Sequence, residues 1–292
     1  QTGVNIAANG SITAGASAIQ ANSVTTAGSN ITIASGAVVR GLGTGPTTAV
    51  VDVTTPAGLT STLNNAGTIR STNASVPAAA SDLAVKGTGG SLTVNNTGRI
   101  DGRFDLSGLL VGSKAAVTTS GAGSSVHTSG VSTFSAGNDT FTNTSPGVLA
   151  TSGATTFDFA ADTGVAPRDS LSNSGVIVAG ETTGASTFTL TGLETFANSG
   201  TIAFGSLDGG LTSDGQTNDR IVSTGTGVGT AFTASGSSLF LIDANLGATT
   251  QTSCAAAVVA DCLSLPGGTI SGVTRVRVNN TGTLRAGMYT QG

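Results

Sequence analysis

His127 is the single histidine among 292 residues, so any Ser-His-Asp arrangement would have to use it. It sits in 124–130, SSVHTSG, a strand-to-turn stretch without the pattern of a nucleophile elbow. That setting reads as a solvated or edge histidine. Glycoside hydrolysis would need paired carboxylates. Only two Glu are present, Glu181 and Glu194, and the Asp residues are scattered. The closest acidic grouping is Asp158, Asp162 and Asp169, around a Pro-containing stretch with Arg168 beside Asp169. A polysaccharide lyase or hydrolase would be sited there, and a plain polar loop is the simpler reading. The segment 137–141, GNDTF, partly fits the Gly-rich nonapeptide of calcium-binding rolls, with a weaker echo at 218–221, NDRI. Such rolls bind calcium between successive repeats, whereas these two stand far apart, and Asx-capped turns account for Asn138 and Asp139. The Gly-x-Gly runs at 41–45 and 225–229 open no helix in a βαβ unit and read as turns. No catalytic, metal or cofactor residue is therefore assigned.

What does recur is a turn. The segments 63–69 (LNNAGTI), 94–100 (VNNTGRI), 171–177 (LSNSGVI), 196–202 (FANSGTI) and 278–284 (VNNTGTL) share one pattern. A looser copy, 141–149 (FTNTSPGVL), carries two extra residues before its Gly, and 9–12 (NGSI) is a shortened one. The turn residues are Asn65, Gly67, Asn96, Gly98, Asn143, Asn173, Gly175, Asn198, Gly200, Asn280 and Gly282. The apolar residue closes one strand inward, Asn and Gly accept left-handed backbone, and the Ile or Leu opens the next strand inward. Gaps of 31, 30 and 25 residues between neighbouring Asn positions match one solenoid coil; the gap of 47 fits two coils and that of 82 about three. Stacked coils would let equivalent Asn side chains bond in a ladder.

The stretches between turns alternate as strands do. In 186–193, Phe188 and Leu190 oppose Thr187, Thr189 and Thr191. In 99–106, Arg99, Asp101, Arg103 and Asp105 would share one face of a single strand. In 238–242, SLFLI, both faces are apolar, so one must meet another coil, a loop or another chain. The best helical candidate is 255–260, and loops are expected at 41–46, 72–81, 160–170, 205–218 and 247–266.

Composition agrees with thin stacked layers. Charged residues are 9%, against about 25% in ordinary domains. Mean hydropathy is +0.24 and net charge −4, opposite to the signature of disorder. Eleven dispersed Lys and Arg make no basic patch for a phosphate backbone, which argues against nucleic acid as a partner. No run is long enough for a membrane-spanning helix. No aromatic residue precedes Phe104, so the first coils need a core of Ala, Val, Ile and Leu.

The Asn-small-Gly-x-Ile turns resemble those of autotransporter passenger domains of the large Gly/Thr-rich bacterial type. GNDTF running into TN at 137–143 is similar to a coil start in such passengers, and 260–280 is similar to the entry of their autochaperone region. The resemblance implies an all-β, right-handed parallel β-helix over 1–246, and C-terminal coils with a Cys-bearing loop over 247–292. It also implies export and exposure at the bacterial cell surface or release. The start at Gln1 reads as a mature chain whose targeting segment is gone, and the lack of barrel strands as a cleaved passenger or a longer gene product. In that oxidising setting the only two cysteines, Cys254 and Cys262, are expected to form a disulfide. The function expected is non-catalytic: a structural or adhesive passenger acting through its extended surface, without cofactors. Its partners would be copies of itself or host and cell-surface ligands. The alternatives are a self-assembling filament or surface-layer module, and a carbohydrate-active enzyme on the same scaffold.

Overall fold

The computed structural model describes residues 3–7, 9–23, 26–41, 48–71, 79–159, 169–182, 184–205, 217–224, 229–246, 254 and 259–282. Among them every regular element is a strand, and every strand-to-strand ladder is parallel. The strands wind into a three-faced parallel β-helix. Its first face stacks Gly3–Ile6, Asn30–Ile33, 60–65, 91–96, Ala115–Thr119, Thr140–Asn143, Ser170–Asn173, Thr195–Asn198, Ala231–Ala234 and Thr269–Gly272. The second stacks Ser11–Thr13, Val38–Gly41, Thr68–Ser71, Arg99–Asp101, 125–128, 148–151, Val176–Ala179, Thr201–Phe204, Leu239–Ala244 and Arg275–Asn280. The third stacks Ile19–Asn22, 51–54, 85–89, Arg103–Leu109, 130–133, 154–158, Thr187–Thr191, Arg220–Thr224 and Cys262–Ser264. Numbered from the N-terminal end, these make nine full coils and two strands of a tenth, a stack on the order of 50 Å at about 4.8 Å per coil.

Alternation decides what fills the interior. Along the first face the inward column is Ile31, Leu63, Val94, Val117, Phe141, Leu171 and Phe196, all buried. Along the second it includes Val39, Ile69, Ile100, Val126, Leu149, Ile177 and Ile202, also buried. Each such side chain withdraws enough apolar surface to stabilise the fold by about 1.5–3 kcal/mol. From coil 4 onward phenyl rings meet in the interior, mostly edge to face: Phe104 with Phe141, Phe157 with Phe188, and Phe196 with Phe232, with Phe141 tilted against Phe157. Coils 1 to 3 fill the same space with Ile19, Ile33, Val51, Val53 and Val85 instead.

Two sequence expectations are corrected. The stretch 99–106 is not one strand. Gly102, at φ 132°, bends the chain between Arg99–Asp101 on the second face and Arg103–Leu109 on the third. The stretch 247–266 is not wholly a loop, because Cys262–Ser264 pairs with Arg220–Thr224, and the stack continues past 246 to Asn280. Of the helical candidate, 255–258 lies outside the described residues, while Ala260 forms an antiparallel bridge with Ala244. Most of the other expected loops, at 42–47, 72–78, 160–168 and 206–216, lie outside the described residues too.

Candidate functional site

Stacking in register converts one position per coil into a column on the outer surface. On the second face one column runs Arg40, Arg70, Asp101, His127, Ala150, Val178, Ala203, Leu241 and Arg277. Its first half is ionic. Arg99 Nε donates to Asp101 Oδ1 at 2.7 Å. His127 Nδ1 lies 2.5 Å from Glu181 Oε1, with the two residues only 6% and 9% exposed. The histidine expected from sequence to be solvated or at an edge is thus a buried one with a carboxylate partner. Glu181 follows Gly180 at the end of the coil-7 strand, where its amide donates to Thr151 O. From there its side chain reaches past coil 6 to coil 5. A histidine held by a carboxylate is two members of a triad. The pair ties coil 7 to coil 5 across coil 6. The second half of the column is apolar: Ala150, Val178 and Ala203 are buried on the outer side, flanked by Val148, Val176 and Leu241. That contact answers why SLFLI is apolar on both faces.

Three of the carboxylates singled out in the sequence, Asp139, Asp169 and Glu194, accept from the chain's own backbone. Asp139 Oδ1 accepts from Ala115 N at 2.6 Å and its Oδ2 from Ser135 N at 2.5 Å. Asp169 Oδ1 accepts from Asp139 N, and Glu194 Oε2 from Asp169 N. Each acid therefore caps the strand of the coil beneath it, at the corner between the third and first faces. A second ladder stands at the corner between the second and third faces, where Asp219 Oδ1 accepts from Ser186 N and Asp261 Oδ1 from Asp219 N. Amide donors point where a cation would need oxygens. Asp158 lies elsewhere, on the third face opposite Thr133 and Thr191, while Asp162 and Arg168 lie outside the described residues. These caps were missed, although a signal exists: DTFTN, DSLSN and ETFAN at 139–143, 169–173 and 194–198 repeat an acid four residues before the turn Asn. Also on the third face, Asp52, Lys86 and Asp105 stand in register. Burial pushes the Asp52 carboxyl above its ordinary value, Lys86 pulls it back and Asp105 adds to the rise.

The turn residues gather at the corner between the first and second faces. Asn65, Asn96, Asn143, Asn173 and Asn198 occupy one buried column, with Thr119 holding the Asn place in coil 5. Asn65 Nδ2 donates to Asn96 Oδ1 at 2.8 Å, Asn143 to Asn173 at 2.8 Å and Asn173 to Asn198 at 2.7 Å. Asn280 is not in this column. It ends a second-face strand, in register with Ala244, though its Oδ1 accepts from Gly282 N as Asn65 Oδ1 does from Gly67 N. The glycines also need a different explanation from the one expected. Gly67, Gly98, Gly175 and Gly200 do not have positive φ. A Cβ at Gly98 would strike Gly67 O, one at Gly175 would strike Gly147 O and one at Gly200 would strike Gly175 O. Close approach of coil to coil, not left-handed backbone, demands Gly there. Near the C-terminal end Cys254 and Cys262 are joined, with their Cα atoms 5.9 Å apart.

No family model, no curated protein and no solved structure matches the chain. No described helix is long and apolar enough to cross a membrane, which leaves strand-built barrels unaddressed.

Proposed function

We propose that this chain is a non-catalytic β-helix passenger of an exported bacterial protein, displayed or released at the cell surface, and that it works as a structural or adhesive rod. The observation that carries this reading is how the acids at the corners are used: Asp139, Asp169, Glu194, Asp219 and Asp261 all accept from backbone amides. What the first face and parts of the third offer instead is uncharged and repetitive. Asn64 Nδ2 donates to Asn30 and Asn95 Nδ2 to Asn64 along the outside of the first face, and hydroxyls pair at Thr54 with Thr88 and Thr191 with Thr224. Such a surface binds by area and by many weak polar contacts. The turn motifs' resemblance to autotransporter passengers supports the surface location.

The test has two arms. Antibody labelling and protease shaving of intact producing cells should reach the chain, and the purified chain should bind host-cell or polysaccharide surfaces saturably without releasing sugar products. Retention of the chain inside the cell, or product release abolished by Asp158→Asn, would overturn the reading. Self-assembly is the second reading, favoured by the edge where the first and second faces meet.

A further inference from the structure

The corner between the first and second faces comes in two lengths. Counting residues between the last first-face position and the first second-face position gives four, four, two, two, five, four, two, two, four and two, from coil 1 to coil 10. Long corners close on their own hydrogen bond, as in Ala37 N to Ala34 O, Ser124 N to Gly121 O, Gly147 N to Thr144 O and Ser238 N to Ser235 O. Short corners have no room for that turn and lie flush on the stack. Over coils 1 to 8 the edge therefore reads long, long, short, short, twice over, and coils 9 and 10 add one long and one short corner.

The consequence is a row of knobs and notches. Each is two coils wide, about 10 Å at about 4.8 Å per coil. The notch at coils 7 and 8 holds about 110 Å³, floored by Asn173, Ser174, Asn198 and Ser199 between walls at Thr142 and Ser235. The knob of coils 5 and 6 exposes Gly121, Ala122, Gly123, Ser145 and Pro146. No charged residue stands within any of these corners, and the nearest beside the coil-4 and coil-5 corners, Arg99, is already paired with Asp101. The long connections, 42–50, 72–82, 159–169, 205–219 and 245–261, all leave from the other two corners.

We propose that this edge docks a second copy of the chain, antiparallel, about a two-fold axis between coils 4 and 5. Reversal is what makes it fit. Coil 5 then faces coil 4 of the other copy and coil 6 faces coil 3, so long meets short. Coils 1 and 2 face coils 8 and 7, so long again meets short, and all eight coils match. A parallel pairing shifted by two coils also sets knobs in notches, but it leaves an open notch at one end and never closes. The two-fold arrangement is isologous and complete with two chains. This inference rests on the reading of the chain as a rod acting through its flanks, and adds which flank and which partner.

Paired cysteines test it. Ala66 is in the short corner of coil 3 and Ser145 in the long corner of coil 6. Three coils, about 14 Å at the inter-strand spacing, separate them within one chain, beyond the roughly 7 Å Cα limit of a disulfide. The full-length double variant Ala66→Cys/Ser145→Cys should give a covalent dimer on mild oxidation, with peptide mapping showing the new bond beside the native Cys254–Cys262. Neither single variant should. Thr97→Lys, at an exposed position, should keep the wild-type circular dichroism and weaken dimerisation at least tenfold by sedimentation. A constant monomer mass across a hundredfold concentration range, or cross-linking by Thr97→Cys/Ser145→Cys in place of the first pair, overturns the inference. In either case rods in negative stain would leave the surface-acting reading standing, whereas cells that never expose the chain would remove that reading alone.

Discussion

Removing Glu181 would leave His127 in the outer layer of the second face with no acceptor for Nδ1. The expected cost of Glu181→Ala is about 3 kcal/mol, with a similar cost for His127→Ala, because each strands a buried polar partner. The double variant should cost less than the sum by about 1–3 kcal/mol, as contacting residues couple. Urea unfolding of the four proteins measures this; strict additivity would mean that the 2.5 Å approach contributes nothing. Glycines give a second comparison at this scale. Gly98→Ala forces a Cβ against Gly67 O, whereas Gly112, at φ 81°, has open space around its missing Cβ. Overpacking of about 1–3 kcal/mol at Gly98 should exceed the roughly 1–2 kcal/mol of left-handed strain at Gly112. Equal losses would restore the turn-conformation account of the corner glycines. Asp52 sets a pH dependence. Its carboxyl is raised above 3.8, so the folded state holds the proton more tightly than the unfolded one. The associated stability is complete below the unfolded value and is lost as pH rises through the higher folded value. Asp52→Asn should therefore lose less stability than wild type between that ordinary value and neutrality, read as the change in denaturation midpoint across the interval.

At the scale of the coil, the side chains that tie one layer to the next are amides inside the corner and acids at the two other corners. Asn173 bonds both Asn143 and Asn198, so Asn173→Ala breaks two rungs and should cost about 1–3 kcal/mol. Asn280→Ala, outside the column, should cost less; thermal melts of both variants decide it. The contrast marks where sequence reading succeeds. A strand that must alternate and a corner that must turn leave local patterns, so the apolar column through Ile69, Ile100, Ile177 and Ile202 was legible in the order of residues alone. The motif around Asn280 has the same letters, but its corner is set by what stacks beneath it, Ala244 of the preceding coil, and no short pattern encodes that. The His127–Glu181 clasp was illegible for the same reason: 54 residues separate its members, and only winding through two full coils brings them together. The buried acids lay between these cases, since their spacing to the turn Asn is local but their role as caps needs the neighbouring coil.

Across the whole molecule, each coil touches little beyond the coils above and below it, so stability is a sum of intrinsic and nearest-neighbour contributions. Ile177→Ala, in coil 7, should cost about 2–5 kcal/mol. Hydrogen exchange should quicken in coils 6 to 8 and stay unchanged in coils 1 to 3. Uniform acceleration along the chain would show that the stack unfolds as one block. The four-coil alternation of corner lengths has a consequence for inheritance. Coils 1 to 4 occupy 3–109 and coils 5 to 8 occupy 115–224, two blocks with the same edge profile. Unequal recombination that deleted or duplicated one block would return a shorter or longer rod with its knobs and notches still in phase. Loss of two coils from one end of this stretch would leave an edge reading long, long, short, short, long, long, which still matches six coils of its parent but no longer matches its own copy along its whole length. With the pairing proposed above, chains of this kind would change length in whole four-coil steps and still match their own copies, while a two-coil step would keep the match to the parent and lose the full match to self.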